Sequence, residues 1–328
     1  MTDMNVARYK TNGPAEKVLF IDRIPVPQPG KGQVRLRMVL SPVHNHDVIT
    51  VAGGYGVTPS LPAVAGTEAL GIVDAVGEGV TMLVPGDRVV AAGLTGAWAD
   101  YYLADAARLL PVPADVPDVL AAQLAGMPFD ALLAFKAIGA KKGEWLIINA
   151  ANGAVGRAIM QIARDRGVNT IGLVHSAKSR DALVGQGFRH IFDTSDGGWT
   201  AAARALFGKA RVAGGLDMVG GPLVGTMASL LSPDAVLLVL GAMSDAPMTV
   251  PAAPVIFGEL TLKGFWAARE AGRLSPTEIR ERVGEVLALA RKGALDLPAA
   301  ATYPLSRITE AMVAMGKARN GKILLQRG

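Results

Sequence analysis

Apolar positions follow two different rhythms along this chain. In residues 1–115 they come in short runs, Gln33–Leu40, Ala69–Val76, Arg88–Ala91 and Tyr101–Leu103, cut by turns such as Pro27-Gln-Pro-Gly-Lys31 and Pro85-Gly-Asp87. Short runs bounded by Pro and Gly predict strands of a compact, strongly bent β unit. From Val116 the rhythm changes. An Ala/Leu-rich helical stretch runs to Ile138, Trp145–Asn149 reads as a buried strand, and a helix is predicted over Ala154–Arg166, where Val155, Ala158, Ile159, Ile162 and Ala163 recur at helical spacing. Strand Thr170–Val174, helix Lys178–Val184 and strand His190–Phe192 follow. Strands Leu216–Val219 and Val236–Leu240 flank the apolar segment Leu223–Leu231. Alternating strands and helices predict a parallel, doubly wound sheet. Helices are predicted at Thr277–Lys292 and Arg307–Lys317, and a last strand at Lys322–Gln326.

Composition narrows the class. With 328 residues, 50% hydrophobic and 19% charged, the chain is an ordered protein of about two domains. Its long apolar stretch, Val119–Ile138, is interrupted by Gln123, Asp130 and Lys136, and a bilayer span needs roughly 20 unbroken apolar residues. No membrane partner is expected. The first residues carry no secretory pattern, so the expected location is cytoplasmic. There is no cysteine, which removes disulfides, thiolate nucleophiles and every zinc site with a Cys ligand. A net charge of +5 with only 5% aromatic residues favours a phosphate-rich small molecule over nucleic acid.

Residues 151–156 read Ala-Asn-Gly-Ala-Val-Gly between a predicted strand and a predicted helix. This is a variant of the dinucleotide fingerprint with Ala151 in the first glycine position. Gly153 lets the backbone approach a pyrophosphate, Gly156 allows close helix–strand packing, and Asn152, Ala154 and Val155 complete the turn. An NAD site places an acidic residue about 20 residues beyond the loop. Here the second strand ends Val174-His-Ser-Ala-Lys178-Ser-Arg180, with no acid before Asp181. His175, Ser176, Lys178 and Arg180 are therefore candidates to receive a 2′-phosphate, which favours NADPH.

Further residues carry a family likeness. These are Pro42 to Asp47, Leu61-Pro-Ala-Val-Ala-Gly-Thr-Glu68, Gly71-Ile-Val to Gly77, and Pro85-Gly-Asp-Arg-Val89. With the Rossmann-like pattern behind them, the whole chain resembles the medium-chain dehydrogenase/reductase superfamily. That resemblance implies an α/β protein with a GroES-like β-rich catalytic domain (residues 1–118 and 266–328) and a doubly wound Rossmann NADP-binding domain (residues 119–265). It also implies a homodimer and a small-molecule substrate. Zinc members carry a Cys near the first segment and Gly-His-Glu at the second. This chain has no Cys and reads Gly66-Thr67-Glu68, so no zinc is expected. His44 and His46, alternating on an extended segment, would share a side with Asp47 and Glu68 nearby, the one nitrogen/oxygen cluster the sequence offers a metal.

Without zinc, another group must handle the charge that develops as hydride arrives. Tyr55, in Gly53-Gly-Tyr-Gly-Val-Thr-Pro59, is the candidate, because a phenol can protonate a developing enolate. The order of this loop, Leu61-Pro-Ala-Val, Asn149 to Gly156 and Leu262-Lys-Gly-Phe-Trp266 resembles the 2-enoyl thioester reductase branch. There the matching tyrosine is the proposed proton donor and the matching tryptophan lines the substrate pocket, which map to Tyr55 and Trp266. The resemblance also implies nicotinamide contacts for Gly241, Ala242, Met243 and Phe265. Two segments depart from that branch: His44-Asn45 replaces its Asn-Pro pair, and Met127-Pro-Phe-Asp-Ala131 puts Asp130 where a Thr faces the nicotinamide. These departures leave open an NADPH:quinone or enone reductase, a protein like the zinc-type alcohol dehydrogenases, and, in another class, a nucleotide-binding protein without catalysis.

Overall fold

The computed structural model describes residues 3–244, 246–317 and 319–328, and the chain divides into two compact units. One comprises the chain up to Gly126 with Pro276–Arg291 and Asp296–Gly328, and the other Met127–Ser275 with Lys292–Leu295.

The first unit is built on a bent seven-stranded sheet. Strand Gln33–Pro42 lies at its centre and alternates strictly, with Val34, Leu36, Met38 and Leu40 turned into the core and arginines 35 and 37 half-buried. It pairs antiparallel with Glu68–Val76, Tyr101–Asp105 and Lys322–Gln326. Register shifts at Arg35/Leu36 and Met38/Leu40 bend it, as bulges do. A three-stranded sheet of Phe20–Pro25, Asp3–Tyr9 and Ala63–Val64 lies beside it, and Trp98 and Tyr9 are fully buried in the unit's core.

The second unit is a six-stranded parallel sheet. In space its strands run Ile191–Asp193, Asn169–Val174, Trp145–Ile148, Val212–Asp217, Val236–Val239 and Thr261–Gly264. Numbered within the unit that is 3-2-1-4-5-6, the dinucleotide-binding order, whose reversal point falls between Trp145–Ile148 and Val212–Asp217.

Several elements differ from the sequence reading for identifiable reasons. The helical stretch to Ile138 is two helices, Asp118–Ala121 and Met127–Ile138, broken where the Gly126 N–H donates to Glu68 Oε1 at 2.7 Å. Residues 119–126 therefore belong with the first unit, where the Gln123 amide also donates to the Leu297 carbonyl at 2.9 Å. Residues 266–275 belong with the second, continuing from Phe265, whose N–H donates to the Val239 carbonyl. The fourth strand starts at Val212 rather than Leu216. Gly214 and Gly215 carry no apolar signal, yet a Cβ on Gly214 would sit 2.4 Å from the Val236 carbonyl oxygen. Strand Thr261–Gly264 is exposed throughout and shows no hydrophobic pattern. Finally, His44 is extended but a helix begins at Asn45 and runs to Ala52, so His44 and His46 do not alternate on one strand.

Candidate active site

The first unit gathers a buried polar cluster at the start of helix Asn45–Ala52. The Val43 N–H donates to the Ile323 carbonyl at 2.9 Å, which ties the end of the central strand to the C-terminal strand and puts Lys322 beside His44. Asp47 accepts the His44 backbone N–H at 2.9 Å and closes the helix's first turn. Gly66 adopts φ 98°, and a Cβ there would lie 2.3 Å from Trp98 Cδ1; only glycine lets the chain pass this ring into Thr67 and Glu68.

The bonds within the cluster fix its protons. Lys322 Nζ lies 2.9 Å from His44 Nδ1 and 3.3 Å from the Val43 carbonyl oxygen. An ammonium only donates, so Nδ1 accepts and His44 carries its proton on Nε2, which donates to Glu68 Oε2 at 2.7 Å. His44 is thus a neutral ring between an ammonium and a carboxylate. Burial holds its pKa well below 6.5, with the Lys322 charge acting in the same sense. Burial also pulls Lys322 down to about 8, against the attraction of Asp47 and Glu68. A second row runs alongside. The Thr67 hydroxyl donates to Asp47 Oδ1 at 2.7 Å, so its oxygen accepts from His46 Nε2 at 2.7 Å. Burial lowers the His46 pKa and raises that of Asp47.

The rings of His44, His46 and Tyr55 follow one another. His44 stacks on His46 with centroids 4.9 Å apart, and His46 on Tyr55 at 5.6 Å. Tyr55 lies just beyond Gly53, which ends the helix in the left-handed conformation at φ 85°. The histidine pair and Glu68 do come together, but around Lys322 rather than around a metal position. Cysteine is lacking, Thr67 offers a hydroxyl, Glu68 is engaged by His44 and Gly126, and an ammonium lies against the free imidazole nitrogen of His44. This donor set does not fit zinc. Among the described residues no group of three or more His, Cys, Asp or Glu side chains is arranged to hold a metal ion.

In the second unit the predicted cofactor residues all follow the carboxyl ends of parallel strands and therefore share one edge of the sheet. Asn152–Gly156 follow the first strand, His175–Arg180 the second, Gly241–Met243 the fifth, and Phe265 and Trp266 the sixth. Helix Ala154–Asp165 starts at Gly153 with no side-chain cap, and Asn152 and Gly153 are exposed. A Cβ on Gly156 would lie 2.7 Å from the Ala150 carbonyl oxygen. The left-handed residue of the turn is Ala150, at φ 43°, rather than Ala151, which is buried and donates its N–H to the Leu173 carbonyl. The Gly153 N–H donates to the Ala150 carbonyl at 2.8 Å, and the exposed turn with its uncapped helix start fits a pyrophosphate.

Ser176 caps helix Ala177–Gly185 by accepting the Ser179 N–H. Lys178 is exposed and makes no hydrogen bond or ion pair among the described residues, whereas Arg180 pairs with Asp181 at 2.9 Å. Met243 and Trp266 are largely exposed, and Phe265 is buried. At the reversal point Asn149 donates to the buried Asp217 carboxylate, accepts the Met218 N–H at 2.6 Å, and leaves Asp217 to receive the Gly220 N–H at 2.9 Å. This lock, like Lys322 and Thr67, has no one-dimensional signature. Asp130, half-buried in the first turn of Met127–Ile138, has its pKa raised by burial to about 7.

Two sequence-family profiles match the chain: an alcohol dehydrogenase GroES-like domain over residues 30–114 and a zinc-binding dehydrogenase profile over residues 154–287. The mitochondrial enoyl-[acyl-carrier-protein] reductase of Bos taurus is 32% identical over 309 residues, covering 90% of this chain and 81% of that protein. That of Xenopus tropicalis is 31% identical over 319 residues, covering 93% and 89%. The chain belongs to the medium-chain dehydrogenase/reductase family. Within it, the chain falls in the enoyl reductase and quinone oxidoreductase branch, and it is an oxidoreductase. Among solved structures, a mycobacterial quinone oxidoreductase matches with a TM-score of 0.87 at 26% identity, covering 98% of this chain and 99% of that one. The Escherichia coli quinone oxidoreductase, solved with NADPH, matches with a TM-score of 0.86 at 23% identity and coverages of 98% and 99%. The family's GroES-like and Rossmann-type parts correspond to the bent-sheet unit and the parallel-sheet unit. Among the described residues no helix is long and apolar enough to cross a membrane.

Proposed function

We propose that this protein is an NADPH-dependent reductase of an activated C=C bond, in a 2-enoyl thioester or an enone, with Tyr55 as the proton donor. The observation that carries this reading is the Tyr55 ring stacked on His46 in a cluster whose cation is Lys322. A site without a Lewis acid must meet the charge of a developing enolate with hydrogen-bond donors and a proton. Asn152–Gly156 would hold the pyrophosphate, and Ser176 and Lys178 the 2′-phosphate; Arg180 contributes less because Asp181 already neutralises it. When bound, NADPH supplies the hydride for the β-carbon. The electron pair of the C=C bond moves toward the carbonyl, the Tyr55 phenol gives its proton to the α-carbon, and the phenolate is refilled from water.

The test is NADPH consumption with crotonyl-CoA, trans-2-hexenal and benzoquinone as separate substrates, followed by Tyr55→Phe. The expected result is turnover of an enoyl substrate and a loss of kcat of about 100-fold or more in the variant. An unchanged kcat in Tyr55→Phe would refute the tyrosine's role. Binding of NADPH with no turnover of any substrate would favour a non-catalytic nucleotide-binding protein. Turnover of benzoquinone alone would favour the quinone reductase reading, which has Asp130 on its side: a carboxyl stands where the enoyl reductase pattern has a hydroxyl.

The same reading includes a homodimer and a cytoplasmic location. Support for the dimer comes from strand Thr261–Gly264, which ends its sheet, and from exposed Val255, Ile256, Phe257 and Leu262 around it, Phe257 being 83% exposed. Light scattering should give twice the chain mass, and Phe257→Asp should shift it toward the monomer.

A further inference from the structure

We propose that His46 is a positioning residue for Tyr55, a reading that rests on Tyr55 being the proton donor. The Tyr55 side chain belongs to a loop that leaves helix Asn45–Ala52 through a left-handed glycine, a joint with little conformational preference of its own. The His46 imidazole lies against its ring, 5.6 Å away between centroids and inclined by 27°. The other face of His46 stacks on His44 at 4.9 Å and 15°.

Both inner rings are held on their edges. His44 is fixed from two sides, by Lys322 on Nδ1 and Glu68 on Nε2, and is 1% exposed. His46 is fixed through Nε2 to the Thr67 hydroxyl, which is in turn fixed to buried Asp47. The two rows of hydrogen bonds therefore end in a flat aromatic face on which the Tyr55 ring rests. His46 takes no proton from the substrate in this scheme. It sets where the phenol stands, and general-acid catalysis is sensitive to that placement, since a shift of about 1 Å costs on the order of 100-fold in rate.

The experiment is a double-mutant cycle between His46 and Tyr55 on the full-length protein, with crotonyl-CoA and trans-2-hexenal as the probes and kcat and both KM values as readouts. His46→Ala is expected to lower kcat by about 10- to 100-fold with the KM for NADPH unchanged, and His46→Phe, which keeps a ring in the stack, to recover most of it. In the Tyr55→Phe background His46→Ala should cost less than about twofold, because the group it positions is gone. An equal loss in both backgrounds overturns the proposal, as does an unaltered kcat in His46→Ala. So does a His46→Phe variant as slow as His46→Ala while melting at the wild-type temperature. If His46→Ala does not fold, Thr67→Val, which removes the acceptor that fixes His46 Nε2, takes its place in the cycle with the same criteria. An undiminished kcat in Tyr55→Phe alone, or no reduction of either probe, defeats the parent reading and this one with it. Loss in Tyr55→Phe without loss in His46→Ala defeats this one only.

Discussion

Glu68→Gln isolates the charge that holds the first unit's cluster together. The side chain keeps its shape and loses its negative charge. The His44 Nε2–H and the Gly126 N–H each donate to the Glu68 carboxylate at 2.7 Å, and the residue is 1% exposed. A glutamine offers one carbonyl oxygen, so one donor faces an amide NH2 instead. A buried donor left without an acceptor costs about 1–3 kcal/mol. The Lys322 ammonium also loses the attraction of one of two carboxylates, acting from across the His44 ring, while Asp47 remains. The unsatisfied donor dominates, so the expected loss is about 1–3 kcal/mol. Lys322→Met in the same chain removes the stranded ammonium and should return at least 1 kcal/mol of that loss, roughly, as coupling. The assay is native-state hydrogen exchange read on peptides covering residues 33–42 and 145–148, which assigns the loss to one unit. Loss below about 1 kcal/mol in the 33–42 peptide, with strictly additive mutants, would refute the charge-based account.

Other expectations follow from the same geometry. His44 and His46 both have pKa values below 6.5 when folded, so above that pH neither state is charged, and below it the unfolded chain takes up protons the folded one refuses. The histidine contribution to stability should therefore fall with acidification below about pH 6.5, by up to roughly 1.4 kcal/mol per pH unit per histidine, with Asp47 and Asp130 working in the opposite sense. Melting between pH 5 and 8 checks this, and His44→Gln should flatten the slope. Asp130 titrates near 7 folded and 3.8 unfolded, so its carboxyl favours the folded state least at high pH. Asp130→Asn should gain stability relative to wild type as pH rises from about 4 to 7, and hold that gain above. Equal melting of the two proteins at pH 8 would contradict the buried-carboxyl reading. Ala150 sits at φ 43°, where a Cβ costs about 1–2 kcal/mol. Ala150→Gly relieves that and loses about 0.4–1 kcal/mol through the unfolded chain, leaving a gain of about 0–1.6 kcal/mol in urea unfolding.

Five of the six parallel strands were legible because burial on both faces writes itself as apolar runs: Trp145–Ile148 is buried at every position. The same rule hides strands whose close packing demands glycine, as at Gly214 and Gly215, and strands on an exposed edge, as at Thr261–Gly264. Histidines 44 and 46 stood out by their rarity, and with Glu68 they suggested a metal set. What turned the cluster into a closed polar network is Lys322, 278 residues away from His44 along the chain, which reads locally as the polar start of a strand. No periodicity encodes a contact of that separation. That Ala150, and not Ala151 in the first glycine position, takes the left-handed conformation of the turn is likewise visible only in the backbone dihedrals.

The C-terminal strand has a consequence for how the protein is made. Lys322–Gln326 is an interior strand of the first unit's sheet, inserted between Ala299–Pro304 and Gln33–Pro42. Strand Gln33–Pro42 must therefore wait for a segment roughly 280 residues later in the chain before its sheet can close. The parallel unit is almost contiguous in the chain and can form while the N-terminal segment still lacks its central partner, whose arrival at about 5–20 residues per second takes tens of seconds. A chain interrupted before Lys322 would carry a complete parallel-sheet unit and an open β-sheet edge. That truncated product would be recognised by quality control through its exposed edge, before any defect in chemistry could be felt.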